Sequence, residues 1–212
     1  MTNTALVRHY DRLAKRYDRR WQTYLAQTLG HTLEALRVSG TERILDVGCG
    51  TGEFARMAIE RFPAVSVVGL DATPAMVEQA QAKLAGCARA SFHLGSVDRL
   101  PFAAEYVDAV VCANVLHHLR DPHQALRECV RVLRPGGQLI VVDWCRDFWH
   151  CRLMHWWLKV VDRTYAAMPR LADLQNLAET LSLTVERADR FVAKPWYGMA
   201  CVVAQKALDG AT

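Results

Sequence analysis

The segment Ile44 to Phe54, ILDVGCGTGEF, sets an acid and three glycines at alternate positions: Asp46, Gly48, Gly50 and Gly52. An apolar run that turns into such glycines reads as a buried strand whose end lets a ligand approach the backbone. The dinucleotide fingerprint GxGxxG places a pyrophosphate at the next helix and needs a small third residue for close helix–strand packing. Gly48 and Gly50 fit that spacing, but Glu53 stands at the third position, and a carboxylate suits a pyrophosphate poorly. No Gly-Lys-Ser/Thr follows, which excludes a P-loop. Asp46, ahead of the glycines, is placed to meet an ammonium group instead. Asp71 ends the next apolar run, VVGLD, about 20 residues on, where a carboxylate accepts both hydroxyls of an unphosphorylated ribose. Together these residues suit an adenosine with free ribose hydroxyls and an amino-acid tail, which is S-adenosylmethionine.

Further along, His117 and His118 follow an apolar run in ANVLHHL. A histidine near its ordinary pKa can act as a general base; the rival reading has one ring packed and the other in solvent. Asp143 ends QLIVVDW and either holds substrate or caps the next helix. Tyr10 and Tyr17 are seven apart, so they share a helix face and either cover a ligand or simply pack. Segment 144–157 gathers Trp144, Trp149, Trp156 and Trp157 with Cys145, His150, Cys151 and His155. As an aromatic wall it would bind a flat apolar acceptor, such as a quinol or polyketide ring; ordinary helix packing competes closely. Converging Cys145 and Cys151 thiols would instead hold a thiophilic centre such as arsenic. Contact with a membrane surface through Trp and Arg on one helix is the least favoured reading.

These residues need a frame to hold them. Residues 5–37 carry a helical pattern, broken near Arg20, and RILDVG then reads as a buried strand. A helix over 51–61 stops before Pro63, VSVVGLD is the second strand, and a helix over 73–85 has Thr73 as cap, Pro74 at its first position and Gly86 at its end. Strands at 90–94 and 107–113, a helix from Pro122 to Leu133 ended by RPGG, and the strand QLIVVDW follow. Alternating buried strands and helices predict a parallel sheet covered on both faces. Helices at about 150–163 and 170–181 precede TVERADRF and GMACVVAQK, joined by a short loop with Pro195 and Gly198 as a hairpin, so one strand runs antiparallel.

At this point the residues meet a family. ILDVGCGTGEF, VVGLDATPAMVEQA, GSVDRLPFAAEYVDAVVCANVLHHLRDP and VLRPGGQLIVVD resemble the successive motifs of class I S-adenosylmethionine-dependent methyltransferases, in the group that includes ubiquinone/menaquinone-biosynthesis and related small-molecule enzymes. The resemblance is dense over 9–143, and HYDRLAKRYD is similar to the family's N-terminal lid. It implies an α/β, Rossmann-like sheet of seven strands in the order 3-2-1-4-5-7-6, with strand 7 antiparallel. It also implies that Asp46 and the Gly48–Gly50 backbone hold the methionine end, Asp71 the ribose, Ala72 and Met76 the adenine, and Tyr17 the lid above them. Ser96 stands where the family commonly has an aspartate toward the adenine amino group; Val97 still offers its N–H, Asp98 points elsewhere, and Asn114 faces the methionine end. LHHL recurs in the family whatever the substrate, so His117 as catalytic base rests on position alone.

The chain of 212 residues reads as one domain over 1–212, with a helical lid at 1–37 and substrate-side helices at 145–182. The net charge of +4 is modest, and the basic cluster from Arg8 to Arg20 reads as a solvated helix face rather than a nucleic-acid patch. No signal-peptide pattern and no apolar run of about 18 residues is present, so the seven cysteines read as reduced thiols of a cytoplasmic protein. With no CxxC pair, no metal is expected. The resulting expectation is methyl transfer from S-adenosylmethionine to a small, hydrophobic or aromatic acceptor, at carbon or oxygen. The alternatives are a metalloid or thiol methyltransferase using Cys145 and Cys151, a non-catalytic S-adenosylmethionine-binding protein, and an NAD-dependent reductase.

Overall fold

The computed structural model describes residues 4–162, 164–194 and 196–208. Its elements in chain order are α1 (Thr4–Ala35), β1 (Arg43–Val47), α2 (Glu53–Arg61), β2 (Ser66–Asp71), α3 (Pro74–Lys83), β3 (Ala90–Leu94) and β4 (Val107–Ala113). A short 3-10 turn (Leu116–His118) leads to α4 (Pro122–Val132), β5 (Leu133–Trp144), α5 (Trp149–Val161), α6 (Leu171–Thr180), β6 (Leu183–Ala193) and β7 (Tyr197–Lys206). Among the described residues seven strands form one sheet in the order β3-β2-β1-β4-β5-β7-β6. The pairs from β3 to β5 are parallel, and β7 runs antiparallel between β5 and β6. This is the expected order and the expected hairpin.

The sheet is central because its strands are apolar on both sides. Ile44, Val67, Val111, Ile140, Val142 and Val203 turn to one face and meet Leu25, Leu29 and Leu33 of α1, Phe54 of α2 and Val77 of α3. Leu45, Val47, Leu70, Val110, Leu139 and Val141 turn to the other, against Leu126 and Cys129 of α4 and Leu174 of α6. Each fully buried Leu, Ile or Val is worth about 1.5–3 kcal/mol, so two-sided burial outweighs local propensity along these runs. A third, small cluster of Cys151, Leu158, Tyr165 and Met168 lies under α5.

Several boundaries differ from the sequence expectation. β5 begins at Leu133 and takes in Arg134–Gly137, because Leu133 pairs with Val107 before the register shifts and Gln138 takes up pairing with Ala109. Gly136 allows this with a φ of 74°. Gly198 lies inside β7 rather than in the hairpin loop, since a side chain there would overlap the Phe148 ring; Pro195 falls outside the described residues. Thr73 holds the cap position of α3 with Pro74 next, but its hydroxyl makes no cap bond. α1 bends at Trp21 (φ −112°, ψ 15°), one residue from the expected break, and so divides into two helical halves.

Candidate functional site

A cavity of about 360 Å³ opens at the carboxyl ends of β1, β2 and β4, where successive connections leave β1 in opposite directions. Open α/β sheets bind ligands at that point. Gly48 and Gly50 form its floor with positive φ, 70° and 52°. Gly48 and Cys49 both donate their N–H groups to the Leu70 carbonyl, and a side chain on Gly48 would run into Val115. Asp71 ends β2 on the wall, where its two carboxylate oxygens accept from Gly50 N (3.0 Å) and Thr73 N (2.8 Å).

The cavity brings together most of the predicted residues. Ala72 and Met76 line it beside Asp71, Ser96 and Val97 line it from the loop after β3, and Asn114 closes the β4 side. Asp98 lines it as well, correcting the expectation that it points elsewhere; the Ser96 hydroxyl donates to Asp98 Oδ2 at 3.3 Å. Asp46 does not reach the wall: it sits buried one layer behind the glycines, and its Oδ2 has no hydrogen-bond partner. Burial, and then the neighbouring Asp71 charge, push the Asp46 carboxyl up to about 8. Burial likewise raises Asp71.

The first half of α1 crosses the mouth, contributing Leu6, Tyr10 and Tyr17 to the lining. It is tied down at three places. Tyr10 donates to His118 Nε2 (2.7 Å), Asp11 accepts from Ala75 N (3.3 Å), and Asp18 joins Thr51 and the Lys83 ammonium, which also meets Glu53. Burial pushes the Tyr10 and Tyr17 hydroxyls up, so both remain protonated donors. Lys83 and Asp18 carry no motif. Only the fold brings the end of α3 against the first half of α1, so the sequence offered no signal for this contact.

The two histidines have different tasks. His118 Nδ1 donates to the Thr164 carbonyl (3.1 Å), which leaves Nε2 to accept from Tyr10. Burial, then the adjacent His117, hold His118 neutral with a pKa of about 3, so its lone pair is spent on Tyr10 of α1. His117 is buried, not in solvent, and its Nδ1 donates to Asp143 Oδ1 at 2.7 Å. Burial acts to raise Asp143, but the His117 ring and its hydrogen bond outweigh it and hold the carboxyl below its ordinary range. Asp143 therefore orients His117 rather than capping a helix. His117 is stacked on Trp144 (centroids 4.2 Å) and lies behind the cavity wall, not on it.

Tyr24 was missed by sequence reasoning. Its hydroxyl donates to Asn114 Oδ1 (2.6 Å) and accepts from Trp144 Nε1 (2.8 Å), while Asn114 Nδ2 donates to Thr28 (3.2 Å). This network fixes Asn114, whose φ is 62°. The expected aromatic wall of 144–157 is split: Trp144 turns inward, stacked on His117 and parallel to Tyr197, whereas Trp149, Trp156 and Trp157 are exposed on α5. Cys145 and Cys151 are buried, and burial pushes the Cys145 thiol up to about 11. Among the described residues the single cluster of three His, Cys, Asp or Glu ligand atoms is His31, Asp189 and Cys201, so neither thiol joins two further ligands.

The residues fit S-adenosylmethionine and not a phosphate ligand. Two carboxyls, Asp71 half-buried on the wall and Asp46 buried behind it with an unpartnered oxygen, are both pushed up by burial, Asp46 also by the Asp71 charge, and would gain from a bound cation. Arg120 is the one Lys or Arg among the lining residues, and it is solvent-exposed. Glu53, bound to Arg56 and Lys83, leaves the cavity open.

Comparison with known proteins agrees with this geometry. A family model for a methyltransferase domain matches residues 45–141. The demethylmenaquinone methyltransferase of Deinococcus radiodurans is 39% identical over 129 residues, 59% of this chain and 50% of that protein. The ubiquinone/menaquinone biosynthesis C-methyltransferase UbiE of Citrifermentans bemidjiense is 27% identical over 175 residues, 77% of this chain and 70% of that one. Matches of this kind span only about half of the Deinococcus protein's length. The putative methyltransferase solved in complex with the Haloferax volcanii Trm112 activator shares the fold, with a TM-score of 0.82 at 22% identity over 93% of this chain and 97% of that one.

Proposed function

We propose that this chain, which carries a class I S-adenosylmethionine-dependent methyltransferase domain, transfers a methyl group to a small hydrophobic or aromatic acceptor, at carbon or oxygen. The carrying observation is the cavity floored by Gly48 and Gly50 and walled by the Asp71 carboxylate, with no buried cation for a phosphate. The relatives named for quinone C-methylation support an aromatic acceptor and a carbon target.

In this reading S-adenosylmethionine supplies a methyl group on a positively charged sulfur, already activated for attack. The chain supplies position. Asp71 holds the ribose hydroxyls, Met76 and Val97 pack on the adenine with Ser96 at its edge, and the glycine floor with Asp46 behind it favours the ammonium end. Asn114, held by Tyr24 and Thr28, stands at the methionine end. α1 acts as the lid: Tyr10 and Tyr17 exclude water, which strengthens every polar contact inside. Alignment and desolvation supply most of the acceleration. Leu6, Tyr10, Val115 and Leu119 are the apolar lining residues left over for the acceptor. Where the acceptor keeps its proton until attack, His117 takes it at Nε2 only if the wall opens to it, because the ring lies behind the cavity lining; Asp143 holds Nδ1–H and the tautomer.

Isothermal titration tests the first part: S-adenosylmethionine and S-adenosylhomocysteine bind, and NADH does not. NADH binding without S-adenosylmethionine binding would instead make the chain a reductase. Release of S-adenosylhomocysteine with a panel of quinols and phenols tests the second. Binding without turnover on any of them would leave a cofactor-binding protein and refute the enzyme.

A further inference from the structure

α5 is apolar on two sides. Cys151, His155 and Leu158 face inward over Tyr165 and Met168. On the opposite side Trp149, Leu153, Trp156, Trp157 and Val160 recur at i, i+4, i+7, i+8 and i+11, a single helical stripe. They are 73%, 64%, 68%, 62% and 85% exposed. Scattered apolar residues are normal on a surface, but a continuous stripe with three tryptophans marks a docking face.

The charges around the stripe indicate what it docks on. Arg152 and Lys159, seven apart, are exposed on one flank, and the Lys159 ammonium lies 5.8 Å from the Trp156 ring centroid. No Asp or Glu lies between Phe148 and Val161. Beside the start of α5, buried Gly198 packs on Phe148, exposed Trp196 is two residues from it in the approach to β7, and Tyr197 meets Trp21, which Arg20 covers. Arg20 is exposed there on α1, and Arg16 and Arg19 are exposed on the same helix. We propose that this face seats on an anionic lipid surface, with the tryptophans at the headgroup level and the cations on the phosphates. Tryptophan prefers that boundary, and Lys and Arg stems extend from apolar contact to a charged head. A second copy of the chain is disfavoured as occupant, because α5 carries no carboxylate to answer the partner's Arg152 and Lys159.

Co-sedimentation of the full chain with vesicles tests this. The chain binds vesicles of mixed phosphatidylcholine and phosphatidylglycerol, binds phosphatidylcholine alone more weakly, and loses affinity as salt rises. Trp156→Ser with Trp157→Ser, or Arg152→Glu with Lys159→Glu, each lowers affinity at least about tenfold, with the circular dichroism spectrum unchanged. Should a variant fail to fold, quenching of the wild-type tryptophan fluorescence by brominated lipid reports the same insertion without a substitution. Failure of the wild type to bind either vesicle, equal binding by the folded variants, or a wild-type dimer that the tryptophan variant converts to monomer would overturn the proposal.

Discussion

Asp46→Asn isolates the charge behind the glycine floor. Asp46 is buried, its Oδ2 has no partner, and its carboxyl sits at about 8 in the folded chain. An unfolded aspartate titrates near about 3.9. The folded state therefore holds a proton that the unfolded state has lost between those values, and stability falls as pH rises through that window. Each pH unit costs about 1.4 kcal/mol for a full proton, so the wild type loses about 3 kcal/mol between pH 5 and pH 7 through this group. Asparagine keeps the shape and does not titrate. For a chain of this size that difference is about 6–12 °C in Tm. His118, held neutral down to about 3, works oppositely: it contributes stability that is lost as pH falls below about 6.5, but it does so in both proteins and cancels in the comparison. The assay is thermal unfolding of both proteins, without cofactor, from pH 5 to pH 8. Parallel Tm profiles for wild type and variant would refute the assignment of a buried protonated carboxyl at Asp46.

Other outcomes follow from the same geometry. Asp71→Ala removes the carboxylate proposed for the ribose and the acceptor for Gly50 N and Thr73 N, and weakens S-adenosylmethionine binding by about 1–3 kcal/mol in isothermal titration; an unchanged Kd would contradict that placement. His117→Gln lowers kcat by about 10²–10⁴ with cofactor affinity unchanged if the acceptor is deprotonated during attack, and an unchanged kcat in initial-rate measurements would leave His117 a packing residue. Gly48→Ala forces a side chain onto a φ of 70° and into Val115. It costs about 1–2 kcal/mol for the backbone and about 1–3 for the overlap, read as a lowered urea midpoint; wild-type stability would mean the turn adapts.

The sequence alone determined the sheet and which residues line the cavity beside its first two strands. Runs such as RILDV and SVVGLD are short, rich in β-branched residues and bounded by turn signals, which together fit a strand buried on both faces, so element type and parallel pairing follow from short-range chemistry. Gly48, Gly50 and Asp71 lie within one strand–turn–helix–strand unit, whose local geometry places them together wherever the rest of the chain goes. The tertiary structure decided the remainder. That Lys83 reaches Asp18, that Tyr24 fixes Asn114, that Tyr10 occupies His118 while Asp143 holds His117, and that one tryptophan of segment 144–157 turns in while three turn out, all depend on contacts between residues far apart in the chain. Helical periodicity specifies which residues share a face, but α5 has two apolar faces, and only its packing over Tyr165 and Met168 selects the one that is covered.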